Sequence, residues 1–373
     1  MAEIVRTVRL EERDTFERFL ERCYGCSWGA FRRWGPDVFR DDEEAMQWHL
    51  ALELDGRIVS HVAGYPREVV VGPARAMMAG VGNVATHPDH RGQGFMSRLM
   101  EESVRRWRER GWTLSALWGD RQRYINFGWE TCGFRYTVTV TRRSLERNGI
   151  EAAEIEEVNP ADPQVAARVG ALHATLPYRI ERPHLALQLR REGVRVFLGP
   201  DGYLLSRGNY GDTPVTEVVS SSGREPELIA GALNRTFANA AQVEMGAGEG
   251  DRLARVVRAM SGWHTNTQGM LRILNWPGLL RDLRPFLTQR AAGLPPFRTC
   301  IGCRWRDETE WATVSWDGEA LDVEGRREGE AVEADLPTLT GIVLGSPHPV
   351  PEGLGPFARL LPVPVHVPAL DRV

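Results

Sequence analysis

The sequence predicts an α+β protein that is divided into more than one domain. Its 373 residues exceed the length of about 100–200 residues that is ordinary for one domain. Segments with apolar residues at helical spacing alternate with short strand-like segments bounded by turn signals. One glycine-rich turn connects such a strand directly to an amphipathic helix, which is an arrangement typical of anion-binding loops in α/β sheets.

Composition and charge exclude several classes of protein. Hydrophobic residues make up 42% of the chain and charged residues 26%, as expected for a folded globular protein. A net charge of −4 argues against general nucleic-acid binding, although all 46 basic residues are Arg. No apolar run reaches the roughly 18 residues of a membrane span. The charged N-terminal segment lacks the apolar core of a signal peptide, so we expect a cytoplasmic protein without membrane contacts.

The first 143 residues are predicted to form one domain of alternating helices and strands. A helix over 92–110 has one apolar face, and Gly111 is expected to end it. The apolar face of this helix consists of Met96, Leu99, Met100, Ser103, Val104 and Trp107. Further helices are predicted at 10–23 and 42–50, and strands within 46–88, at 113–118 and at 134–142.

Two stretches rich in charged residues, Asn and Pro predict domain boundaries, which divide the chain into 1–143, 144–286 and 287–373. The middle domain repeats the element order of the first, although no sequence repeat accompanies it. Its predicted strands are 195–199, 202–208 and 214–221, and its predicted helices are 165–174, 226–239 and 249–261. The last domain is predicted to contain strands at 311–318 and 321–327 and a helix at 335–345.

The five cysteines do not predict a metal site. Cys23 and Cys26 have CxxC spacing, as do Cys300 and Cys303, but the two pairs lie far apart in the sequence. Nearby histidines complete neither pair. Buried thiols are therefore the preferred interpretation, with a local disulfide as the open alternative.

The segment that carries chemistry runs from Val81 to Met100. A strand ends at His87-Pro88, and the turn Arg91-Gly92-Gln93-Gly94 then opens into the amphipathic helix. Glycines there let successive backbone N–H groups face an anion, and the helix N-terminus adds partial positive charge. The turn has no Lys, unlike a nucleoside-triphosphate loop, and it lacks the three-glycine dinucleotide spacing. A pyrophosphate is the anion that fits best.

The same residues resemble a known family. Arg91 to Met96 is similar to the R-x-x-G-x-G/A signature of GNAT acetyltransferases, from which Met96 departs, and Val84 to Pro88 resembles the strand that carries the pantetheine arm in that family. The resemblance implies acetyl-CoA as co-substrate and no metal. The binding residues that it implies are Val84, Ala85, Thr86, Arg91, Gly92, Gln93, Gly94, Phe95, Met96 and Ser97.

The block from Gly119 to Trp129 resembles the Eis-type (enhanced intracellular survival) acetyltransferases more specifically. That resemblance implies a GNAT fold in tandem with a degenerate second copy, followed by a sterol-carrier-like α/β domain. It adds Gly119 and Asp120 to the cofactor-binding residues. It also implies a homo-oligomer, since ring-like hexamers occur in that family.

Amine acetylation needs a base for the acceptor and an acid for the leaving thiolate. Tyr124 matches the proton donor of the Eis-type family; packing between helix and sheet is the alternative. The strand before the loop has no Asp or Glu from Met77 to Pro88. The resemblance implies that the C-terminal carboxylate of Val373 is the base, with His61 and His87 as alternatives. Removal of the last three residues is expected to leave folding intact.

The acceptor side is predicted within residues 23–44. Trp28, Phe31, Trp34 and Asp37 could hold a cationic amine through aromatic faces and a carboxylate, such as an aminoglycoside, a polyamine or a lysine side chain. The middle domain has Gly223-Arg224-Glu225-Pro226 where the loop would recur, so it is expected not to bind CoA. A non-catalytic acyl-CoA- or lipid-binding protein that uses the last domain is the alternative function.

Overall fold

The computed structural model of the protein describes residues 3–208 and 213–373 and contains two sheets. The α+β class is confirmed. The larger sheet has thirteen strands in the described residues: β1 (Glu3–Thr7), β2 (His49–Leu54), β3 (Arg57–Val71), β4 (Ala74–Thr86), β5 (Leu114–Leu117), β6 (Glu130–Thr141), β7 (Glu156–Val158), β8 (Tyr178–Ile180), β9 (Val194–Leu198), β10 (Gly202–Arg207), β11 (Thr213–Ser220), β12 (Ala240–Gly246) and β13 (Met260–Ile273). The smaller sheet contains β14 (Phe297–Trp305), β15 (Glu308–Trp316), β16 (Leu321–Glu324) and β17 (Ala331–Asp335).

The helices cover the sheets and connect their strands. They are α1 (Arg13–Tyr24), α2 (Ala30–Trp34), α3 (Glu43–Met46), α4 (Phe95–Glu109), α5 (Arg121–Tyr124), α6 (Arg142–Arg147), α7 (Pro163–His173), α8 (Leu185–Gln188), α9 (Glu225–Thr236), α10 (Gly250–Arg258), α11 (Trp276–Asp282), α12 (Arg284–Ala291) and α13 (Leu336–Leu344). Over the described ranges, none of the helices is both long and apolar enough to cross a membrane.

The large sheet has the order β1-β2-β3-β4-β5-β13-β6-β12-β11-β10-β9-β7, with β8 paired to β3. Two neighbouring pairs are parallel, β4 with β5 and β11 with β12. Each parallel pair is connected through a helix, α4 in the first half and α9 in the second, because parallel neighbours need a crossover. A parallel pair with a helical crossover thus occurs on both sides of the sheet.

Two central strands connect the halves. β13 comes late in the chain, yet it pairs with β5 of the first half, with Leu271 opposite Ala116. β6 follows the first half and pairs with β12 of the second, with Val138 opposite Val243. The sequence did not predict β13. Its first eight residues are half-buried or exposed and mostly polar, so no apolar period marks them.

Helix α4 keeps the apolar face that was predicted for it. Leu99, Met100, Val104 and Trp107 are buried against the sheet. The Trp107 ring lies so close to β3 that a Cβ atom at Gly64 would come within 2.3 Å of its Nε1 atom. The helix ends before Gly111, which adopts a left-handed φ of 78°. The predicted end is confirmed, whereas the start moves from residue 92 to Phe95.

Other predicted bounds need correction. Both predicted domain boundaries, 143/144 and 286/287, fall inside helices, α6 and α12. Phe286 and Leu287, on either side of the second boundary, are buried in one core with α11, α13 and the smaller sheet. The helix predicted at 42–50 ends at Met46, because the following residues pair as β2. The helix predicted at 249–261 ends at Arg258.

Candidate functional site

A β-bulge in β4 shapes the centre of the site. His61 of β3 is opposite Ala85 and Ala63 is opposite Gly82, so Asn83 and Val84 together face one residue of β3. Asn83 has a φ of 53°. Such bulges re-aim backbone groups away from the ladder. The Val84 carbonyl accepts a hydrogen bond of 3.1 Å from the Tyr24 hydroxyl.

The glycine-rich turn borders the larger cleft, which has a volume of about 580 Å³. Gly92 and Gly94 both have a φ of 78°, and a Cβ atom added at either would meet open space. Ten of the twelve predicted cofactor-binding residues line this cleft: Val84, Ala85, Thr86, Arg91, Gly92, Gln93, Gly94, Phe95, Met96 and Ser97. The first N–H groups of α4 have no partner within their helix, so this end of the cleft can receive an anion.

The other two predicted cofactor-binding residues, Gly119 and Asp120, lie outside the lining of the cleft. Asp120 caps α5, because its carboxylate accepts a 3.0 Å bond from the backbone N–H of Gln122. A Cβ atom at Gly119 would lie 2.5 Å from the Tyr124 ring. Both residues therefore position the short helix that carries Tyr124.

Tyr124 lies at the end of α5, and its side chain is 8% exposed. Burial raises the pKa of the Tyr124 phenol above its ordinary value. The phenol therefore stays protonated at neutral pH, as a general acid must. The backbone N–H of Trp129 holds the carbonyl of Tyr124 at 3.2 Å, which ties the helix to the turn that follows.

The sequence did not assign Tyr24, Cys23, His90 or Arg123 to the cofactor cleft, although all four line it. Burial first, and then the neighbouring Tyr124, raise the pKa of Tyr24 to about 12. Tyr24 is thus a second protonated phenol beside the β4 bulge. Cys23 and Tyr24 occupy the last turn of α1, and the sequence contains no signal that this turn faces β4.

Val373 lies against the opposite side of β4. A Cβ atom at Gly82 would be 3.3 Å from the carboxyl carbon of Val373, and one at Gly80 would be 3.1 Å from its Cγ2 atom. Any other residue at these two positions would compete with the chain end for space. Val373 also lines a second cleft of about 280 Å³ together with Phe31, Trp34 and Asn83, and three arginines, Arg191, Arg207 and Arg372, line the same cleft.

Buried ion pairs hold the chain end in place. Asp371 is 1% exposed, and its carboxylate accepts bonds of 2.8–3.2 Å from Arg182. Arg182 also binds Glu217 at 2.8 and 2.9 Å. The Arg372 carbonyl accepts a 2.8 Å bond from Arg191. The expectation that the last three residues are dispensable for folding is therefore corrected, since removal of Asp371 would leave part of this buried network unpaired.

The four predicted acceptor residues separate into two groups. Phe31 and Trp34 line the second cleft. Asp37 is buried, and both of its carboxylate oxygens accept 2.8 Å bonds from Arg191. It therefore positions the arginine that holds the chain end, and it has no free oxygen facing an amine. Trp28 lines neither cleft and is half exposed beneath the guanidinium groups of Arg18 and Arg32.

The histidine alternatives for the base are engaged elsewhere. His61 is fully buried, with its Nδ1 atom 2.7 Å from the Asn83 carbonyl and its Nε2 atom 3.1 Å from His49. Burial lowers the pKa of His61 to about 4, so it is neutral but enclosed. His87 accepts a 3.3 Å bond from the Asp89 N–H and caps a short turn. Val373 is the carboxylate that faces β4.

The corresponding turn in the second half has its own acceptors. The Ser220 hydroxyl accepts from the N–H groups of Ser222 and Arg224 at 3.2 and 2.9 Å. The fully buried Glu225 carboxylate, bonded to Arg255 at 2.6 Å, lies at the start of α9. A pyrophosphate would meet this negative charge at the N-terminus of the helix.

The five cysteines are free thiols: Cys23, Cys26, Cys132, Cys300 and Cys303. The local disulfide that the sequence left open is therefore not formed. In the part of the chain that the structure describes, no group of three or more His, Cys, Asp or Glu residues is suited to hold a metal ion.

The N-terminal third of the chain matches a known family of domains. Residues 4–132 match the family model described as an acetyltransferase (GNAT) domain. This part of the chain is therefore a GNAT acetyltransferase domain, and the chain is an acyltransferase enzyme. The match does not favour the non-catalytic alternative. None of the curated proteins matches the sequence.

Solved structures resemble nearly the whole chain. A GCN5-related N-acetyltransferase from Kribbella flavida is 19% identical with a TM-score of 0.69, over 93% of this chain and 89% of its own. A protein of Enterococcus faecalis described as a probable N-acyltransferase is 18% identical, with a TM-score of 0.71 and coverages of 92% and 90%. Eis1 from Mycobacterium abscessus is 15% identical, with a TM-score of 0.64 and coverages of 92% and 90%. At these identities the likeness is one of fold.

Proposed function

We propose that this acyltransferase transfers the acetyl group of acetyl-CoA directly to an amine, with Tyr124 as general acid and the Val373 carboxylate as general base. One observation carries the proposal. The glycine-rich turn and the chain end approach the same short stretch of β4, Gly82–Thr86, from two clefts. A donor in the first cleft and an amine in the second would meet at the β4 bulge.

The larger cleft fits acetyl-CoA. The left-handed turn Arg91–Gly94 and the first N–H groups of α4 would hold the pyrophosphate, with the Arg91 guanidinium beside it. The re-aimed backbone of Val84 and Ala85 would bind the amides of the pantetheine arm. Acetyl-CoA supplies an acetyl group that is activated as a thioester. Positioning next to the amine contributes to the rate independently of acid–base chemistry.

Tyr124 is the group that delivers a proton to the departing thiolate. Burial raises its pKa, so that the phenol holds its proton at neutral pH. Gly119 leaves room for the Tyr124 ring, and Tyr124 is close enough to Tyr24, beside the bulge of β4, to influence its pKa. Tyr24 is a second phenol there, but its hydroxyl already donates to the Val84 carbonyl.

The Val373 carboxylate removes the proton of the attacking ammonium, either directly or through one water. Its ordinary pKa of about 3.5 leaves it ionised at neutral pH. Phe31 and Trp34 give the second cleft an aromatic wall beside this carboxylate. Aromatic faces and a carboxylate attract a cationic amine, so an aminoglycoside, a polyamine and a lysine side chain remain the proposed acceptors.

The rest of the chain completes the proposed architecture. The second half is a degenerate GNAT-like copy, since Glu225 lies where the anion would bind. The region around β14–β17 and α13 is a sterol-carrier-like domain. Its C-terminal segment returns to the first half and supplies Val373. A homo-oligomer is also proposed, and light scattering or sedimentation of the purified protein tests it.

Thiol release from acetyl-CoA over a panel of amines tests the function. We expect at least one polyamine, aminoglycoside or lysine peptide to be acetylated. Mass spectrometry identifies the acetylated product. A single Gly added after Val373 converts its carboxylate into an amide and moves the new carboxylate by about 3.5 Å. Turnover should then fall while CoA binding persists.

A matched control places the same Gly before residue 1, which should leave turnover unchanged. Equal activity of the two extended proteins would exclude the terminal carboxylate as the base. Absence of product with every amine would exclude the acceptor class.

A further inference from the structure

A third cleft, of about 340 Å³, lies between α4 and the turn from β14 to β15. It shares no lining residue with the two clefts at β4. Met100, Val104 and Phe127 give it an apolar wall on the side of the first half. Trp305 and Arg306 face them from the smaller sheet, and Arg272 of β13 lies between the two sides.

Arg272 is an unusual residue for such a position because it is 5% exposed. Its guanidinium carbon lies 5.2 Å from the ring centroids of both Trp129 and Trp305. One terminal nitrogen donates to the Phe127 carbonyl. The Nε atom is buried and has no hydrogen-bond partner.

The charge of Arg272 also lacks a direct counter-ion. Among the described residues, no carboxylate lies within ion-pair distance of it. The arginines at the rim of the cleft are paired: Arg306 binds Glu101 at 2.7 Å, Arg108 binds Glu310, and Arg105 binds Glu109. Glu101, Glu109 and Glu308 are the carboxylates that line the cleft. The ion pairs at the rim therefore leave the positive charge of Arg272, at the base of the cleft, without a counter-ion.

A buried cation without a partner is costly, because burial removes its hydration. Burial is the main cause that lowers the pKa of Arg272 to about 9, and the charges of Arg108 and Arg306 add to it. The guanidinium is still charged at neutral pH. Two tryptophan faces recover part of the lost hydration. An oxyanion would recover more, since the remaining terminal nitrogen of the guanidinium can donate charge-assisted hydrogen bonds to a carboxylate or phosphate oxygen.

We propose that this cleft is a binding site for a small organic oxyanion, a carboxylate or a phosphate ester with a short apolar or aromatic body, held by Arg272. The oxyanion would bond to the guanidinium, and the body would pack on Met100, Val104 and Trp305. Ligand bound there touches the first half, the central strand β13 and the smaller sheet at once.

Calorimetry and tryptophan fluorescence of the full-length protein test the site with three probes: benzoate, phenyl phosphate and the neutral benzamide. We expect saturable binding of benzoate or phenyl phosphate and at least about tenfold weaker binding of benzamide, which keeps the ring and loses the charge. The preferred anion identifies the ligand as carboxylate or phosphate ester. Binding should persist with saturating CoA.

Variants locate the binding. Arg272→Met keeps an unbranched apolar stem between the two tryptophan rings and removes the charge. It should weaken binding of the anion by at least about tenfold. Arg306→Gln removes a positive charge at the rim and should weaken binding of the anion severalfold. This variant provides a test if Arg272→Met does not fold. Arg327→Ala is the matched control, because Arg327 also stacks on a tryptophan, Trp311, but lies outside the cleft.

Three results would overturn the proposal. They are binding of neither anion below about 10 mM, equal binding of benzamide, and unchanged binding by folded Arg272→Met. Competition with CoA would assign the anion to the loop before α4 instead.

Discussion

Proton delivery depends on a single hydroxyl at the end of α5. The Tyr124 ring packs in the core with Trp129 and Leu117, and Tyr124 is not itself among the residues that line the larger cleft, although its neighbour Arg123 is. Burial raises the pKa of this phenol. The group therefore remains an acid over the whole neutral range, and turnover should not be lost through its ionisation below its ordinary pKa of about 10.

Replacement of Tyr124 by Phe removes that hydroxyl and keeps the ring. We expect turnover to fall by roughly 10²–10⁴-fold, while the free energy of unfolding changes little. Steady-state kinetics and urea denaturation measure the two effects. Tyr136→Phe is a suitable control, since Tyr136 lies on β6 against Trp263, away from both clefts. If Tyr124→Phe turns over as fast as the wild type, Tyr124 contributes to packing and not to proton transfer.

The turn before α4 works as an element, because its binding groups are backbone N–H groups that are positioned by two left-handed glycines. At Gly94 a Cβ atom would meet open space, so the position faces the cleft rather than the core. The first turn of α4 contains no acidic residue that would compete with an anion. A negative side chain at this position would occupy the proposed pyrophosphate site.

Gly94→Glu is therefore expected to abolish CoA binding, as measured by calorimetry. The left-handed φ of 78° makes any side chain strained there, so strain must be separated from charge. Gly111→Glu provides that control at the other end of the same helix. Gly111 has the same φ of 78° and open space around it. It should show a similar loss of stability with CoA binding retained; unchanged binding by Gly94→Glu would refute the loop assignment.

The C-terminal segment is held by a second buried cluster, around His366. The imidazole lies 3.3 Å from Glu249 and 3.5 Å from Glu244. Burial alone would lower the pKa of His366, but the two carboxylates raise it above its ordinary value. The protonated form is thus favoured in the folded protein. Arg372, next to Val373, bonds to the same Glu244, so this cluster adjoins the proposed base.

Stability should depend on this histidine with a defined sign. A raised pKa contributes stability that is fully present below the unfolded value of about 6.5 and is lost as the pH rises through the folded value. We expect the free energy of unfolding of the wild type to fall as the pH rises above about 6.5. His366→Gln should show a smaller fall over that range in urea denaturation. An identical pH profile would show that the cluster does not protonate as inferred.

At the scale of the whole molecule, the central strands make the two halves interdependent. β5 of the first half has β13 as its outer neighbour, and β6 pairs on both sides with strands of the second half. Residues 1–143 without the rest of the chain would expose the edge of β5 and both edges of β6. Exposed edges of this kind pair with other chains. The two predicted domains therefore share one sheet.

Residues 1–143 expressed alone should consequently aggregate or remain unfolded, and they should not bind CoA. Co-expression with residues 144–373 should restore a soluble complex that does bind it, because the second fragment supplies β13. Size-exclusion chromatography and calorimetry distinguish these states. A monomeric, CoA-binding fragment 1–143 would show that β13 is not needed for the first half to fold.

Local patterns along the chain determined part of this picture. The buried face of α4, its end at Gly111 and the glycine turn before it follow from residues within about twenty positions of one another, so periodicity and turn signals report them. The buried strand before Tyr124, predicted at 113–118 and found as β5, follows from the same kind of local pattern. The GNAT resemblance depends on these same short segments.

Only the tertiary structure decided the rest. Asp371 pairs with Arg182 across 189 residues and Asp37 with Arg191 across 154, and no local pattern encodes such partners. The prediction from sequence therefore took Asp37 to be a free carboxylate and the last three residues to be dispensable for folding. β13 was not predicted because its first part is mostly polar and shows no apolar period. It forms a strand because it pairs with β5 and β6 on its two edges. Pairing energy between distant segments determines these features, and it becomes visible only when the chain is folded.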